Sequence, residues 1–251
     1  MSLKTFSLAE RPDLKSRIGD LEGEAFPVYI NAEPTWNDCF PGILESMPDL
    51  QLFFLDETTD ELLAVVSQVA FTWDGTAAAL PGYNDLLRNS LEEAKRDRHP
   101  NALCGIMAIV PEEHQGKGIS QHIFAAVFGL IKSRGFEHYL IPVRPTLKHL
   151  YPNFSTAEYL DWKTDHDKPF DPWIRSNMAL SPTFLAIARD SINITASIAQ
   201  WEEWCEMQFP VSGSFVIPGG HKLLKVNRED GTAYYGEDHV WYSYTMPNSG
   251  D

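Results

Sequence analysis

The chain has 251 residues, of which 43% are hydrophobic and 22% charged, as in an ordinary globular protein. Its formal net charge of −15 and the absence of a basic run argue against a nucleic-acid partner, because such binding needs Lys and Arg that neutralise phosphates. No apolar run approaches the roughly 20 residues that span a bilayer, and the start lacks the apolar core of a signal peptide. We therefore expect a cytoplasmic protein without membrane contact, whose three scattered cysteines are reduced.

Apolar periodicity predicts alternating strands and helices in the first hundred residues. The predicted strands are 3–8, 51–56 and 61–73, the last two forming an antiparallel hairpin. The predicted helices are 12–24, 36–47 and 83–98, with Pro41 and Gly42 interrupting the second. Residues 74–82 are expected to form a loop.

The centre of the chain gives the clearest pattern. Residues 102–110 form an almost unbroken apolar run, which is typical of a strand buried on both faces. The stretch HQGKGIS follows, and then an amphipathic helix that ends at Gly135. Residues 138–143 read as another buried strand. Strand, helix and strand with short connections predict a right-handed βαβ unit with parallel strands.

The pattern after Pro145 is less regular. Strand-like runs occur at 173–180, 183–188, 214–217, 222–227 and 239–245, and 197–208 looks helical. The aromatic residues of this tail either form a core or cover a groove for a small molecule or a partner.

The glycine loop at 114–120 suits an anion. A helix N-terminus presents unpaired N–H groups, and Gly116 and Gly118 let the backbone approach a bulky pyrophosphate while Lys117 adds a cation. The alternative is a tight turn between strand and helix. The dinucleotide-binding motif requires a third glycine where Gln121 stands, and the P-loop motif lacks its upstream glycine.

This stretch resembles the acetyl-CoA loop of the GNAT acetyltransferase superfamily, Q/R-x-x-G-x-G/A, which follows a buried strand and opens a helix. Gln115 and Gly118 match the first and fourth positions, and Ser120 stands where the family has Gly or Ala. The preceding Val110-Pro111 has its proline one place earlier than is usual. The resemblance covers residues 3–180 in element order and is specific mainly over 102–151.

The resemblance implies an α/β fold with a mixed, mostly antiparallel sheet, a splayed parallel βαβ core and flanking helices. In such proteins the two parallel strands separate to admit pantetheine, and Pro142, which cannot donate to a ladder, would be tolerated at that separation. We expect residues 1–180 to form an acyl-CoA-binding domain with an insert at 74–101, and 181–251 to form a C-terminal extension packed on it. The implied cofactor-binding residues are Ala108, Ile109, Val110, Gln115, Gly116, Lys117, Gly118, Ile119, Ser120 and Arg144.

The catalytic groups are less evident. The resemblance implies a tyrosine that protonates the leaving thiolate, and Tyr151 lies at the matching distance, although a core tyrosine is an equal alternative. Arg144 would contact the cofactor or a substrate carboxylate, or else form a surface salt bridge. The general base stays unassigned among Glu112, Glu113, Asp74, Glu158 and His149. No metal-ligand spacing or hydrolase motif occurs, so we expect no metal.

These inferences lead to one functional expectation and two alternatives. The expected activity is direct transfer of acetyl from acetyl-CoA, or of another acyl group from its CoA thioester, to a small-molecule amine. The first alternative is a catalytically inactive GNAT-like protein that binds CoA or a partner, and the second is transfer to a hydroxyl group.

Overall fold

The computed structural model describes residues 3–96, 99–178 and 180–244. Its strands are β1 (Leu3–Ser7), β2 (Leu52–Asp56), β3 (Leu62–Phe71), β4 (Ala102–Ile109), β5 (His138–Val143), β6 (Thr183–Ser197), β7 (Gly213–Phe215), β8 (Leu224–Asn227) and β9 (Thr232–Tyr244). Its α-helices are α1 (Ile18–Ala25), α2 (Val28–Asn31), α3 (Pro34–Ser46), α4 (Tyr83–Lys95), α5 (Ile119–Arg134), α6 (Thr156–Leu160), α7 (Pro172–Met178) and α8 (Ile198–Cys205). Within these described ranges, no helix has both the length and the apolar character that a membrane span requires.

All nine strands belong to one mixed sheet with the order β1-β2-β3-β4-β5-β9-β8-β7, and β6 also pairs with β9. The β4–β5 pair is parallel and the other pairs are antiparallel. The expected fold class, a mostly antiparallel sheet with a parallel βαβ unit and flanking helices, is confirmed. Strand β9 belongs to the predicted C-terminal extension, 181–251, and lies beside β5 of the predicted domain 1–180. The strands of both parts therefore belong to the same sheet.

The parallel pair β4–β5 opens after a short ladder. Its last paired residues are Cys104 and Leu140, whereas the opposite edge of β5 stays paired with β9 from Tyr139 to Val143. At the opening, Ile106 forms a bulge in the β3–β4 register, between the pairs made by Gly105 and Met107. Pro142 lies beyond the last β4–β5 pair, so its missing N–H removes no bond from that ladder.

Helices cover both faces of the sheet. Phe124 of α5 packs against Tyr244 on one face of β9. Successive residues of a strand point to opposite faces, so Tyr235 lies on the other face, where it contacts Tyr29 of α2 and Trp201 of α8. Trp201 is fully buried and donates its indole N–H to the carbonyl of Ala233, so this aromatic group is part of the core.

Two local predictions need correction. Residues 173–178 are helical in α7, because Asp171 accepts the N–H groups of Trp173 and Ile174 while Pro172 starts the helix; residue 179 lies outside the described residues. Helix α3 runs through Pro41 and Gly42 without interruption. Gly42 brings α3 close to Leu91 of α4, and burial of that face outweighs the local cost of the proline.

The other predicted elements are present with shifted ends. Strand β9 begins at Thr232, earlier than the predicted 239, and β6 extends to Ser197 rather than 188. The predicted ends of the 83–98 helix and the 239–245 strand fall partly on residues 97, 98 and 245, which lie outside the described ranges.

Candidate functional site

The glycine loop has the backbone that its sequence predicts. Gly116 and Gly118 have φ angles of 73° and 81°, in the left-handed region that favours glycine. A Cβ atom at either position would meet nothing within 4 Å, so the space before the loop is open. Gly118 is the N-cap of α5, whose first N–H groups have no partner within the helix. The loop therefore offers exposed N–H groups, a helix dipole and room for a large anion.

The end of β4 is tied to this loop. The side-chain amide of Gln115 donates to the carbonyl of Val110 at 3.0 Å. Ala108 and Ile109 pair with β3 and lie beyond the last β4–β5 pair, and Ala108 is exposed. Apart from Arg144, the predicted cofactor-binding residues thus lie in the stretch from the open edge of β4 to the start of α5. Lys117 is exposed in it, Ser120 half-buried, and Ile119 buried.

Arg144 lies outside the stretch between β4 and α5. It directly follows β5 and forms an ion pair with Glu237. Its Nε atom is 2.5 Å from Oε1 of Glu237, whose side chain is completely buried, while the Arg144 side chain is one-fifth exposed. The Arg144 guanidinium and His221 hold the pKa of Glu237 down to about 2 despite its burial. The role of Arg144 toward a cofactor stays a prediction.

Glu237 is the centre of a buried polar cluster, which we define as Arg144, His221, Tyr235, Glu237 and His239. The Tyr235 hydroxyl donates to Glu237 at 2.6 Å and accepts the backbone N–H of His221 at 2.8 Å. One edge of β9 pairs with β8 up to Tyr234 and with β5 from Val240 onward. The cluster residues that belong to β9 lie between these two ladders. The cluster fills this gap at the carboxyl end of β5.

Both histidines of the cluster are buried without full hydrogen bonding. Neither ring nitrogen of His221 has a hydrogen-bond partner, nor has Nδ1 of His239, among the described residues. Burial lowers the pKa of His221 to about 3 and that of His239 to about 4. Both rings are therefore neutral at neutral pH.

His239 also connects to the opening between β4 and β5. Its ring stacks on Tyr83 of α4, with ring centroids 5.1 Å apart and planes 12° apart. The Tyr83 hydroxyl donates to the carbonyl of Ile106 at 2.9 Å, at the bulge of β4. Tyr83 is anchored in turn by its N–H, which the Ser191 hydroxyl accepts.

Tyr151 lies after β5 in an aromatic group. Its ring meets Trp162 edge-on at 4.8 Å and also contacts Tyr159 and Phe170. Its backbone carbonyl accepts a hydrogen bond from Lys148, a buried residue whose pKa desolvation lowers to about 8. These contacts fit a core tyrosine as well as a proton donor, so its catalytic role stays a prediction.

Two of the candidate bases already cap local structure. Asp74 accepts the N–H and hydroxyl of Thr76, and Glu158 forms a capping box with Ser155. Glu112 and Glu113 are exposed, and His149 contacts the carbonyl of Thr146. Among the residues that the structure describes, no group of His, Cys, Asp and Glu is large enough to hold a metal ion.

Of the buried polar cluster the sequence predicted Arg144 alone as a site residue, and it did not indicate Tyr83. One signal was available, because Tyr235, Glu237, His239 and Trp241 alternate along β9 and so share a face. A strand predicted from 239 onward hides this alternation. His221 has no such signal, because it lies in the loop before β8.

Comparison with known proteins gives one sequence relative. No family model matches the chain. It is 28% identical over 178 residues to "Arginine N-acetyltransferase avaD" of Aspergillus versicolor. The match covers 66% of this chain and 61% of that protein, so the chain matches about three fifths of the relative's length.

Solved structures give the fold. The loading GNATL domain of CurA from Lyngbya majuscula has a TM-score of 0.56 and 12% identity, over 98% of this chain and 97% of that one. The GphF GNAT-like decarboxylase, solved with isobutyryl-CoA, has a TM-score of 0.57 and 12% identity, over 98% and 100%. The resemblance to GNAT proteins is thereby confirmed at the level of the fold.

Proposed function

We propose that this chain, which has the GNAT fold, is an N-acyltransferase that moves an acyl group, acetyl in the first instance, from CoA to a small-molecule amine. The observation that best supports this proposal is the glycine loop between β4 and α5. Two of its glycines have left-handed φ angles and face open space. This cradle fits a pyrophosphate, and the opening of β4 from β5 beside it gives a path for a thin pantetheine arm.

Within this proposal, loop N–H groups from Gly116 to Ser120 bind the pyrophosphate, whereas the predicted N–H of Gln115 donates to the carbonyl of Glu112 at 3.1 Å. Backbone groups of Ala108 to Val110 pair with the pantetheine amides. An N–H near Val110 polarises the acyl carbonyl, and Tyr151 protonates the leaving thiolate. When bound, the CoA thioester supplies the activated carbonyl. Because most of these contacts are main-chain contacts, glycine placement matters more than side-chain identity.

The sequence relative supports transfer over other reactions of the same fold. One structural neighbour is named a decarboxylase, so the fold alone does not separate the reactions. The relative is named an arginine N-acetyltransferase, which supports acetyl as the acyl group and an amine of the arginine class as the first acceptor to test. The inactive alternative predicts CoA binding without turnover.

Binding at the loop is tested by melting temperature. At ~100 times its dissociation constant, acetyl-CoA adds ~2.7 kcal/mol to the stability of the folded state, which raises the melting temperature by roughly 5–10 °C in a chain of this size. We expect this rise in the wild-type chain and its loss in Gly118→Leu, whose side chain fills the space in front of the loop.

The matched control is Gly75→Leu. Gly75 has a φ of 84° and equally open surroundings, so both substitutions cost similar backbone strain, but Gly75 lies in the loop after β3. Gly75→Leu should keep the rise. Absence of a rise in the wild type would refute CoA binding. If the rise is present, release of free thiol with arginine or a panel of amines separates an enzyme from a binding protein.

A further inference from the structure

His239 has the surroundings of a proton acceptor rather than of a structural histidine. It is 3% exposed, and its Nδ1 has no hydrogen-bond partner among the described residues. Burying such a polar atom unpaired costs roughly 1–3 kcal/mol, so a purely structural site would have no reason to keep it. Unpaired buried groups of this kind call for an explanation such as a catalytic role.

The position of His239 agrees with such a role. It directly precedes Val240, the residue of β9 that pairs with Val143 at the end of β5. Through Tyr83 it is linked to the carbonyl of Ile106, at the point where β4 leaves β5. Tyr83 and His239 therefore bridge the two sides of the opening that admits the thioester in the proposed function.

We propose that His239 is the general base of the acyl transfer, held in place by the ring of Tyr83. This inference rests on the proposed function. The amine nitrogen attacks the thioester carbonyl carbon, the C–N bond forms, and the C–S bond breaks. The proton lost by the amine passes to Nδ1 of His239, and the thiolate leaves to be protonated, so an amide and free CoA are the products.

The charges around His239 leave its ring able to accept that proton. Burial has the largest effect and disfavours the charged form of the ring, and Arg144 disfavours it too, whereas Glu237 and Asp238 favour it. The imidazole is therefore neutral at neutral pH. His221, the second buried histidine, also faces this group and disfavours a second positive charge. Glu237 lies on the same face of β9 and stabilises the imidazolium when it forms.

The test compares His239→Gln with His138→Gln. His138 is at the opposite end of β5, where its ring packs edge-on against Trp73, and it controls for loss of an imidazole. We expect His239→Gln to lower kcat by ~10²–10⁴-fold, the usual contribution of a general base, while the acetyl-CoA rise in melting temperature persists. His138→Gln should keep wild-type kcat. A kcat for His239→Gln within threefold of wild type would overturn the assignment.

A second measurement uses the wild-type chain, in case His239→Gln does not fold. An NMR titration of the histidine ring signals should find His239 neutral at pH 7, and a protonated ring at that pH would overturn the proposal. Failure of the proposed function is a separate result. A wild-type chain with no turnover on any amine refutes the transfer itself, whereas an active wild type with an equally active His239→Gln refutes only the base.

Discussion

Mild acid is expected to destabilise this protein strongly, by about 2–2.5 kcal/mol of unfolding free energy per pH unit between pH 6 and pH 5. The cause is the pair of buried histidines. The pKa of His221 is about 3 and that of His239 about 4 in the folded state, whereas an unfolded histidine titrates near 6.5. Between pH 6 and pH 5 these two histidines therefore bind nearly two more protons in the unfolded chain than in the folded chain.

The sign follows from the direction of these shifts. Both folded-state pKa values are depressed, so stability is full above about pH 6.5 and falls as the pH drops toward the folded values. Below about pH 4.5 Glu237 adds to the loss, because its folded pKa of about 2 also lies below its unfolded value. Its contribution is present above the unfolded pKa and disappears as the carboxylate is protonated.

Urea unfolding at pH 6.0 and pH 5.0, at constant ionic strength, measures this slope. His221→Gln should remove about half of it, because one proton is then no longer taken up. Equal stability at the two pH values would show that the buried histidines are charged or solvated in the folded protein.

Glu237→Gln is expected to lower the free energy of unfolding by ~3–5 kcal/mol, the usual loss when one partner of a buried ion pair is removed. The substitution keeps the size of the side chain but leaves the Arg144 guanidinium without its counter-charge. It also removes the carboxylate that accepts the Tyr235 hydroxyl at 2.6 Å.

Two further variants show whether charge is the cause. The double variant Arg144→Met/Glu237→Leu should recover much of the loss, because no unpaired charge then stays buried. Lys15→Gln breaks an exposed pair with Glu45, at 3.6 Å, and should change stability by less than about 1 kcal/mol. A loss for Glu237→Gln as small as that of Lys15→Gln would mean that the Arg144–Glu237 pair is solvated.

The elements around the cofactor loop were predictable because their signals are local. The buried run of β4, the two glycines and the amphipathic α5 each carry their own pattern, and the short connection then fixes handedness. Helix α7 is the exception, because residues 173–180 have no clear period and the start signal of a helix lies in the two preceding residues, Asp171 and Pro172.

The buried polar cluster was not predictable from local pattern. Arg144 and Glu237 are far apart in the chain, and only the β5–β9 register brings them together. Tyr83 likewise reaches Ile106 and His239 by packing between elements that no periodicity connects. Such contacts depend on tertiary arrangement, which the sequence pattern of each element leaves open.

The position of β9 sets a constraint on how the protein is synthesised. Its residues Val240 to Tyr244 pair with β5, yet they emerge long after Val143 has been made. At ~5–20 residues per second, translation leaves the edge of β5 uncovered for roughly 5–20 seconds. During this time an apolar strand with unpaired N–H and C=O groups invites pairing with other chains. Nascent chains stalled in this interval should therefore depend on chaperones, and the yield of folded protein should respond to translation speed.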